Sequence, residues 1–369
     1  MAKSEIINDY NEYCINDPAS SVLLEQNGAG TNKKIDTPLT QQSSGDVLTL
    51  AGLIEAYRTH KASSFHKLAY DNRKNTRRLT ERMDEQYGST PLAEIRASTI
   101  RIWHDGWAEG GKVSMAHSFI AQLRTMLGFG LLMLEDRECE RLCVTMSKLK
   151  FEQAKVSDVS LSPEQADAIR EAARRHFGWY SLALAQAFQF ELVLRQRDVI
   201  GQWVPESEPG ESDIRYNGLK WRAGIRWSEV ADDMVLRHRT NKRQKMMAAD
   251  LKLCPMIQDE LRYLNYRSPD GPIIINDVTG LPWSANEFRR KWRLVANHCG
   301  VPKEVKDMHS RSGGISEMFR AGVRPDAIMT MATHSDLAMT MRYNRQNHLD
   351  TSTEGQLARL EYRNRKAEE

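Results

Sequence analysis

Residues 308–343 read MHSRSGGISEMFRAGVRPDAIMTMATHSDLAMTMRY, and three side chains stand in order within them: Arg311, His334 and Tyr343. Ser312-Gly313-Gly314 follows the arginine, in a helix that the apolar spacing carries over 310–321 to Ala321-Gly322. A second helix, 324–332, leads to Thr333-His334-Ser335-Asp336, and Tyr343 lies nine residues beyond His334. Taken singly, each residue has an ordinary explanation. Tyr343 fits a half-buried aromatic, His334 a capping or surface histidine, and Arg311 a solvated helix face. Their order carries the information, so the rest of the chain is read for groups that would join them.

Upstream, Phe190-Glu191-Leu192-Val193-Leu194-Arg195-Gln196-Arg197-Asp198-Val199-Ile200 closes a helix expected over 179–194 and places Arg195 at its end. Asp198, three residues on, is within reach of an ion pair with Arg195. Between this box and residue 308 the pattern changes. Val199–Val204, Ile225–Trp227 and Met234–His238 read as short strands, with Trp203, Trp221 and Trp227 as the core of a small sheet. The last strand opens a basic hairpin, His238-Arg239-Thr240-Asn241-Lys242-Arg243-Gln244-Lys245. Further helices are expected at 163–176, 255–267 and 284–299. Ser162, Pro163 and Gln165 supply an N-cap, a first-turn proline and the return partner of a capping box. The unit from 161 to 350 is therefore helical with a small antiparallel sheet set after its second helix.

Residues 47–150 read as an all-helical unit, with helices near 48–61, 69–86, 97–109, 112–135 and 136–145 punctuated by Gly88-Ser89-Thr90-Pro91 and Gly110-Gly111. A polar linker at 151–160 joins the units. Residues 1–46, rich in Ser, Thr, Asn, Gln and Gly, read as a flexible acidic arm, and 351–369 as a tail whose Leu357, Leu360 and Tyr362 cannot bury themselves alone. With 40% hydrophobic and 27% charged residues, the chain has the means to build two cores. No apolar run is long enough to cross a bilayer and the start lacks a secretory core, so no membrane partner and a cytoplasmic location are expected. The five cysteines form no CxxC pair and read as reduced thiols, which leaves no metal site to propose.

The net charge of +3 is informative only in its distribution. Residues 1–46 hold three lysines against seven acids, so the remainder carries about seven positive charges. Arg58, Lys61, Lys67, Arg73, Lys74, Arg77, Arg78 and Arg82 form one basic cluster, and Arg237, Arg239, Lys242, Arg243 and Lys245 another. Clusters of this density suit phosphate contacts, whose affinity comes from counterion release, although a solvated helix face would look the same.

The full set of boxes, Arg195 with Asp198, the basic hairpin, Arg311, His334 and Tyr343, resembles the tyrosine recombinase or phage integrase family over about residues 47–350. The resemblance implies a mainly α fold with a small antiparallel sheet (α+β). In it a helical core-binding domain at 47–150 and a catalytic domain at 161–350 form a C-shaped clamp on DNA. It implies a site-specific recombinase that integrates or excises a phage or other mobile element through a 3′-phosphotyrosyl intermediate. Tyr343 would be the nucleophile, Arg195 and Arg311 the phosphate clamp, and His334 a donor to phosphate oxygen. Lys242 would be the general acid, with Lys245 as the alternative. Arg58, Lys61, Lys67, Arg73, Lys74, Arg77, Arg78, Arg237, Arg239 and Arg243 would line the DNA. No cofactor is needed, because the covalent link conserves the phosphodiester energy. The implied partners are double-stranded DNA at specific sites, a homo-tetramer joined through the tail, and an accessory bending or directionality protein. One departure stands out: Met308 occupies the place where the family usually has a histidine, with His309 next to it. The alternative reading is accordingly a catalytically weak or inactive DNA-binding member of the same fold.

Overall fold

The computed structural model describes residues 48–153, 159–264, 268–344 and 348–368. The arm expected at 1–46 and residues 154–158 of the linker lie outside them.

Among the described residues, five α-helices make the first half: α1 (Leu50–Thr59), α2 (Tyr70–Tyr87), α3 (Ala97–Ala108), α4 (Val113–Met133) and α5 (Arg137–Lys148). Their starts are set locally. Thr49 Oγ1 accepts from Gly52 N at 3.2 Å and Asp136 accepts from Cys139 N at 2.7 Å, so each cap satisfies an amide that the helix cannot. Leu53, Tyr57, Met83, Trp103, Phe119 and Leu142 pack into one core. At about 1.5–3 kcal/mol for each large apolar side chain, that burial is what holds five short helices together. The opposite face of α2 is polar and carries exposed Lys74, Arg77 and Arg78.

The second half begins with the capping box: Ser162 Oγ accepts from Gln165 N at 3.2 Å while Gln165 Oε1 accepts from Ser162 N at 3.0 Å. It starts α6 (Pro163–Arg175), which packs on α7 (Tyr180–Glu191). Every residue of α7 from Ser181 to Phe190 is buried, because this helix is the axis on which α6, α9 (Pro255–Leu261) and α11 (His309–Arg320) converge. After α8 (Gln196–Ile200) comes an antiparallel sheet in the order β1-β3-β2, from β1 (Gln202–Pro205), β2 (Arg215–Tyr216) and β3 (Leu219–Arg222). A separate hairpin pairs β4 (Val235–Arg239) with β5 (Met246–Asp250), Arg239 opposite Met246. It buries Leu236, His238 and Thr240 and turns Arg237 and Arg239 outward. The chain then runs through α9, α10 (Ala285–His298), α11, α12 (Pro325–Met331), α13 (Leu337–Met341) and α14 (His348–Glu368).

The architecture is mainly helical with small antiparallel sheets, and several expected boundaries move. The helix read over 179–194 stops at Glu191, since Val193 adopts φ 46°. Val199-Ile200 belongs to α8 rather than to a strand. Ile225–Trp227 is no strand either: Arg226 makes a single bridge to Pro272 and Trp227 opens a 3-10 turn. The true partner of β1 is β3, whose Trp221 is 1% exposed and donates from Nε1 to Ile200 O at 2.8 Å. The helix read over 255–267 ends at Leu261.

Among the described residues, three buried clusters result: one in the first half, one over 161–305, and a small third made by Val193, Ile315, Phe319, Ile328 and Ala332. Tyr343 packs on the third. Among the described residues, two ion pairs join the halves, Arg73 with Glu208 and Arg197 with Asp71.

Candidate active site

Four segments meet where α7 ends. Gly313 and Gly314 let α11 press against it: a Cβ on Gly313 would lie 2.1 Å from Leu161 O, and one on Gly314 2.1 Å from Phe190 O. No larger residue fits against a backbone carbonyl at that range. The close approach brings Arg311, one turn earlier on α11, beneath the loop that carries Arg195. Arg311 donates from Nη1 to Val193 O and from Nη2 to Ala332 O at 2.5 Å, tying the arginine loop to the end of α12.

Arg195 caps α8 with its backbone, and its Nη1 lies 3.7 Å from Asp198 Oδ2. Asp198 is 1% exposed, and its Oδ1 accepts from Asn241 N at 2.7 Å, which anchors the basic hairpin to the same loop. Arg195 Nη1 has no hydrogen-bond partner among the described residues. Burial first, then the charge of Arg195, pulls the Arg311 guanidinium down to about 10, so it stays charged at neutral pH. Two neighbouring cations share the single buried carboxylate of Asp198. That arrangement is a standing site for an anion with several oxygens.

His334 stands beside them. It is 3% exposed, its Nδ1 lies 2.9 Å from Thr340 Oγ1, and its carbonyl accepts from Lys245 Nζ at 2.8 Å. Burial, then the charges of Arg311 and Arg195, pushes its pKa down to about 4, so the ring is neutral at pH 7. Thr333 immediately before it adopts φ 52°, an uncommon conformation for a β-branched residue. The Tyr343 ring lies nearly parallel to the imidazole, at 13° with centroids 5.8 Å apart, and Ser316 Oγ donates to Tyr343 O at 3.3 Å.

Arg195, Arg311, His334 and Tyr343 are thus one constellation, assembled from the end of α7, from α11, and from the segments after α12 and α13. Of the two hairpin lysines, Lys245 reaches it. Lys242, first choice on the sequence, is exposed in the turn of the hairpin. Met308 is 68% exposed at the cap of α11, and His309 Nδ1 accepts from Lys306 N at 3.0 Å. The basic residues distribute unevenly. Lys61, Lys67, Lys74, Arg77, Arg78, Arg237, Arg239 and Arg243 are exposed, whereas Arg58 lies 3.7 Å from Glu81, and Arg73 is held by Leu68 O and Glu208. Two contributors escaped the sequence reading. Thr340 had a findable signal, because Asp336 is an N-cap for α13 and accepts from Met339 N at 2.9 Å. The role of Asn241 is carried by its backbone, which no side-chain pattern marks. Among the described residues no cluster of His, Cys, Asp or Glu could hold a metal, and no helix is long and apolar enough to cross a membrane.

No family model matches the sequence, and no curated protein does. Solved structures do match the fold. A lambda integrase (75–356) dimer bound to a COC′ core site superposes with a TM-score of 0.61 at 15% identity, over 81% of this chain and 98% of that one. The Tn1549 transposon integrase (82–397), in complex with circular intermediate DNA, gives 0.59 at 12% identity, over 84% and 99%. A lambda integrase tetramer bound to a Holliday junction gives 0.59 at 15%, over 82% and 80%. At these identities the shared property is the fold, over nearly all of the described chain.

Proposed function

We propose that this chain is a site-specific DNA recombinase acting through Tyr343. The observation that carries the reading is the convergence of Arg195, Arg311, His334 and Tyr343 around one anion-binding point, in the fold of integrases solved on DNA. The Tyr343 oxygen forms a bond to phosphorus as the bond to the 5′-oxygen breaks, leaving a 3′-phosphotyrosyl link. Arg195 and Arg311 hold the non-bridging oxygens, and removing one such preorganised donor costs about 10²–10³ in rate. Lys245, by its contact with His334 O, is better placed than Lys242 to give the departing 5′-oxygen its proton. Reversing the steps against a new 5′-hydroxyl rejoins the strand, without a metal or a nucleotide.

In this reading the helical half and the second half close on duplex DNA as a clamp, with the exposed basic faces of α2 and the hairpin on its phosphates. The helix α14 presents exposed Leu357, Leu360 and Tyr362, and it joins protomers into a tetramer on two sites. Integration or excision of a mobile element in the cytoplasm, aided by a bending or directionality protein, completes the proposal. The exposed Met308 favours a second reading, a DNA-binding member that does not cleave, since no imidazole stands at that position.

A nicked suicide duplex decides between them. With attachment-site DNA, the wild-type chain traps a covalent adduct on a denaturing gel and Tyr343→Phe traps none while binding equally well. If neither forms an adduct on DNA that both bind, the non-cleaving reading replaces the first.

A further inference from the structure

The neutral imidazole of His334 has one proton and two nitrogens, so its usefulness to a phosphate depends on which nitrogen carries it. Nδ1 faces Thr340 Oγ1 at 2.9 Å, and the two residues are 3% and 0% exposed. Nδ1 is the sole hydrogen-bond partner that the described residues offer this hydroxyl.

Among the helical threonines of this chain, Thr76 also gives its hydroxyl to a side chain, Gln122 Oε1 at 3.4 Å, but others bond locally. Thr59, Thr125, Thr145 and Thr330 each turn the hydroxyl back onto the carbonyl four residues earlier, at 2.8–3.0 Å. Thr340 forgoes that bond and points at the imidazole instead. If the ring held its proton on Nδ1, the N–H would meet the lone pairs of Oγ1 and the buried hydroxyl hydrogen would have no acceptor. An orphaned buried donor of this kind biases an equilibrium by roughly tenfold to a hundredfold. With the hydroxyl donating to Nδ1, both groups are satisfied and the ring proton is left on Nε2.

We propose that Thr340 is a positioning residue: its buried hydroxyl donates to His334 Nδ1 and so keeps the ring proton on Nε2, available to a phosphate oxygen beside Arg195 and Arg311. The phosphate half of this inference rests on the recombinase reading, whereas the tautomer does not. The remaining contacts hold the ring for that purpose. His334 N donates to Met329 O at 3.0 Å, its carbonyl takes Lys245 Nζ at 2.8 Å, and Tyr343 lies parallel to it. Thr340 also belongs to the turn that delivers the tyrosine, since Tyr343 N donates to Thr340 O at 3.0 Å. One short helix therefore sets both the donor and the nucleophile.

The test compares wild type, Thr340→Val, which keeps the shape and deletes the hydroxyl, and Thr340→Ser, which keeps the hydroxyl. Nitrogen-15 histidine NMR on the DNA-free protein, with the His334 signal assigned by its loss in His334→Asn, reads the tautomer directly. Wild type and Thr340→Ser show the proton on Nε2, and Thr340→Val loses that fixed state. On a suicide duplex selected by binding, single-turnover adduct formation falls about tenfold in Thr340→Val and returns to within about twofold in Thr340→Ser, with DNA affinity unchanged. A purely structural Thr340 would not give rescue that follows the hydroxyl. A wild-type His334 with its proton on Nδ1, or a Thr340→Val chain that cleaves at the wild-type rate, overturns the proposal. A wild-type chain that traps no adduct sinks the recombinase reading and the phosphate half with it, while the NMR signal still decides whether Thr340 donates.

Discussion

Replacing Gly314 by alanine adds one methyl group at the point where α11 meets α7. That methyl would sit 2.1 Å from Phe190 O and 2.9 Å from Val193 Cγ1, against an ordinary contact that begins at 3.4 Å. A backbone carbonyl at a helix end cannot rotate away, so α11 must retreat by about 1.3 Å from Phe190. Overpacking of this kind costs about 1–3 kcal/mol, which lowers the melting temperature by about 3–10 °C for a unit of this size. The displacement falls on the contact between the segments that carry the two guanidiniums: Val193 precedes Arg195 by two residues, and its carbonyl accepts from Arg311 on α11. Misplacing reacting groups by about 1 Å costs on the order of 10²-fold in rate.

The assay is single-turnover adduct formation well below the melting temperature, beside thermal unfolding followed by circular dichroism. Gly128→Ala is the control. A Cβ there meets nothing within 4 Å inside α4, so it raises stability by about 0.5–1 kcal/mol and leaves cleavage alone. A Gly314→Ala chain that melts with the wild type and cleaves at its rate would show that the close approach does not set the position of Arg311.

Three further outcomes follow from other contacts. Lys245→Ala slows adduct formation by about 10²-fold, a substrate with sulfur at the 5′-bridging position restores it, and Lys242→Ala changes the rate little; the opposite ranking would return the general acid to Lys242. Burial pushes the Asp307 carboxyl up to about 7, so the folded state binds a proton that the unfolded chain has released, and stability falls as pH rises from about 4 to 7. Asp307→Asn therefore stabilises the chain more at pH 8 than at pH 5, by on the order of 2 kcal/mol, and an equal gain at both pH values would contradict the burial argument. Asp71 and Glu208 hold Arg197 and Arg73 across the two halves, so Asp71→Asn with Glu208→Gln frees two cations. DNA affinity then rises and its logarithmic salt slope steepens by about 2, and an unchanged slope would mean that neither arginine reaches a phosphate.

What the sequence made legible was whatever short-range chemistry decides. The capping box of Ser162 and Gln165 sets the start of α6 within three residues, and the order of Arg195, Arg311, His334 and Tyr343 is a linear pattern. The choice between Lys242 and Lys245 is of another kind. It depends on the register of β4 against β5 and on Asp198 holding Asn241 N, neither of which has a local signature. The strands β2 and β3 were missed for a related reason: Arg215-Tyr216 is exposed, and Lys220 of β3 is buried only because its Nζ donates to Glu206 O at 2.9 Å.

The end of α7 shows how the fold overrides a local pattern at the site itself. The apolar run Phe190–Leu194 would continue the helix, yet the chain leaves it after Glu191 and takes Val193 through φ 46°. Thr333 makes a similar excursion at φ 52° beside His334. Each such β-branched residue costs about 1–3 kcal/mol, so something must hold both. The same guanidinium does so at both places: Arg311 donates to Val193 O and to Ala332 O, and hydrogen bonds from a charged donor contribute about 1.5–3 kcal/mol each. Arg311 is then the brace of the site as well as half of its charge. That explains why it is partly buried beside another cation when a phosphate ligand alone would ask only for an exposed one. Lysine, a point charge without a planar fork, could supply the charge and could not span the two carbonyls.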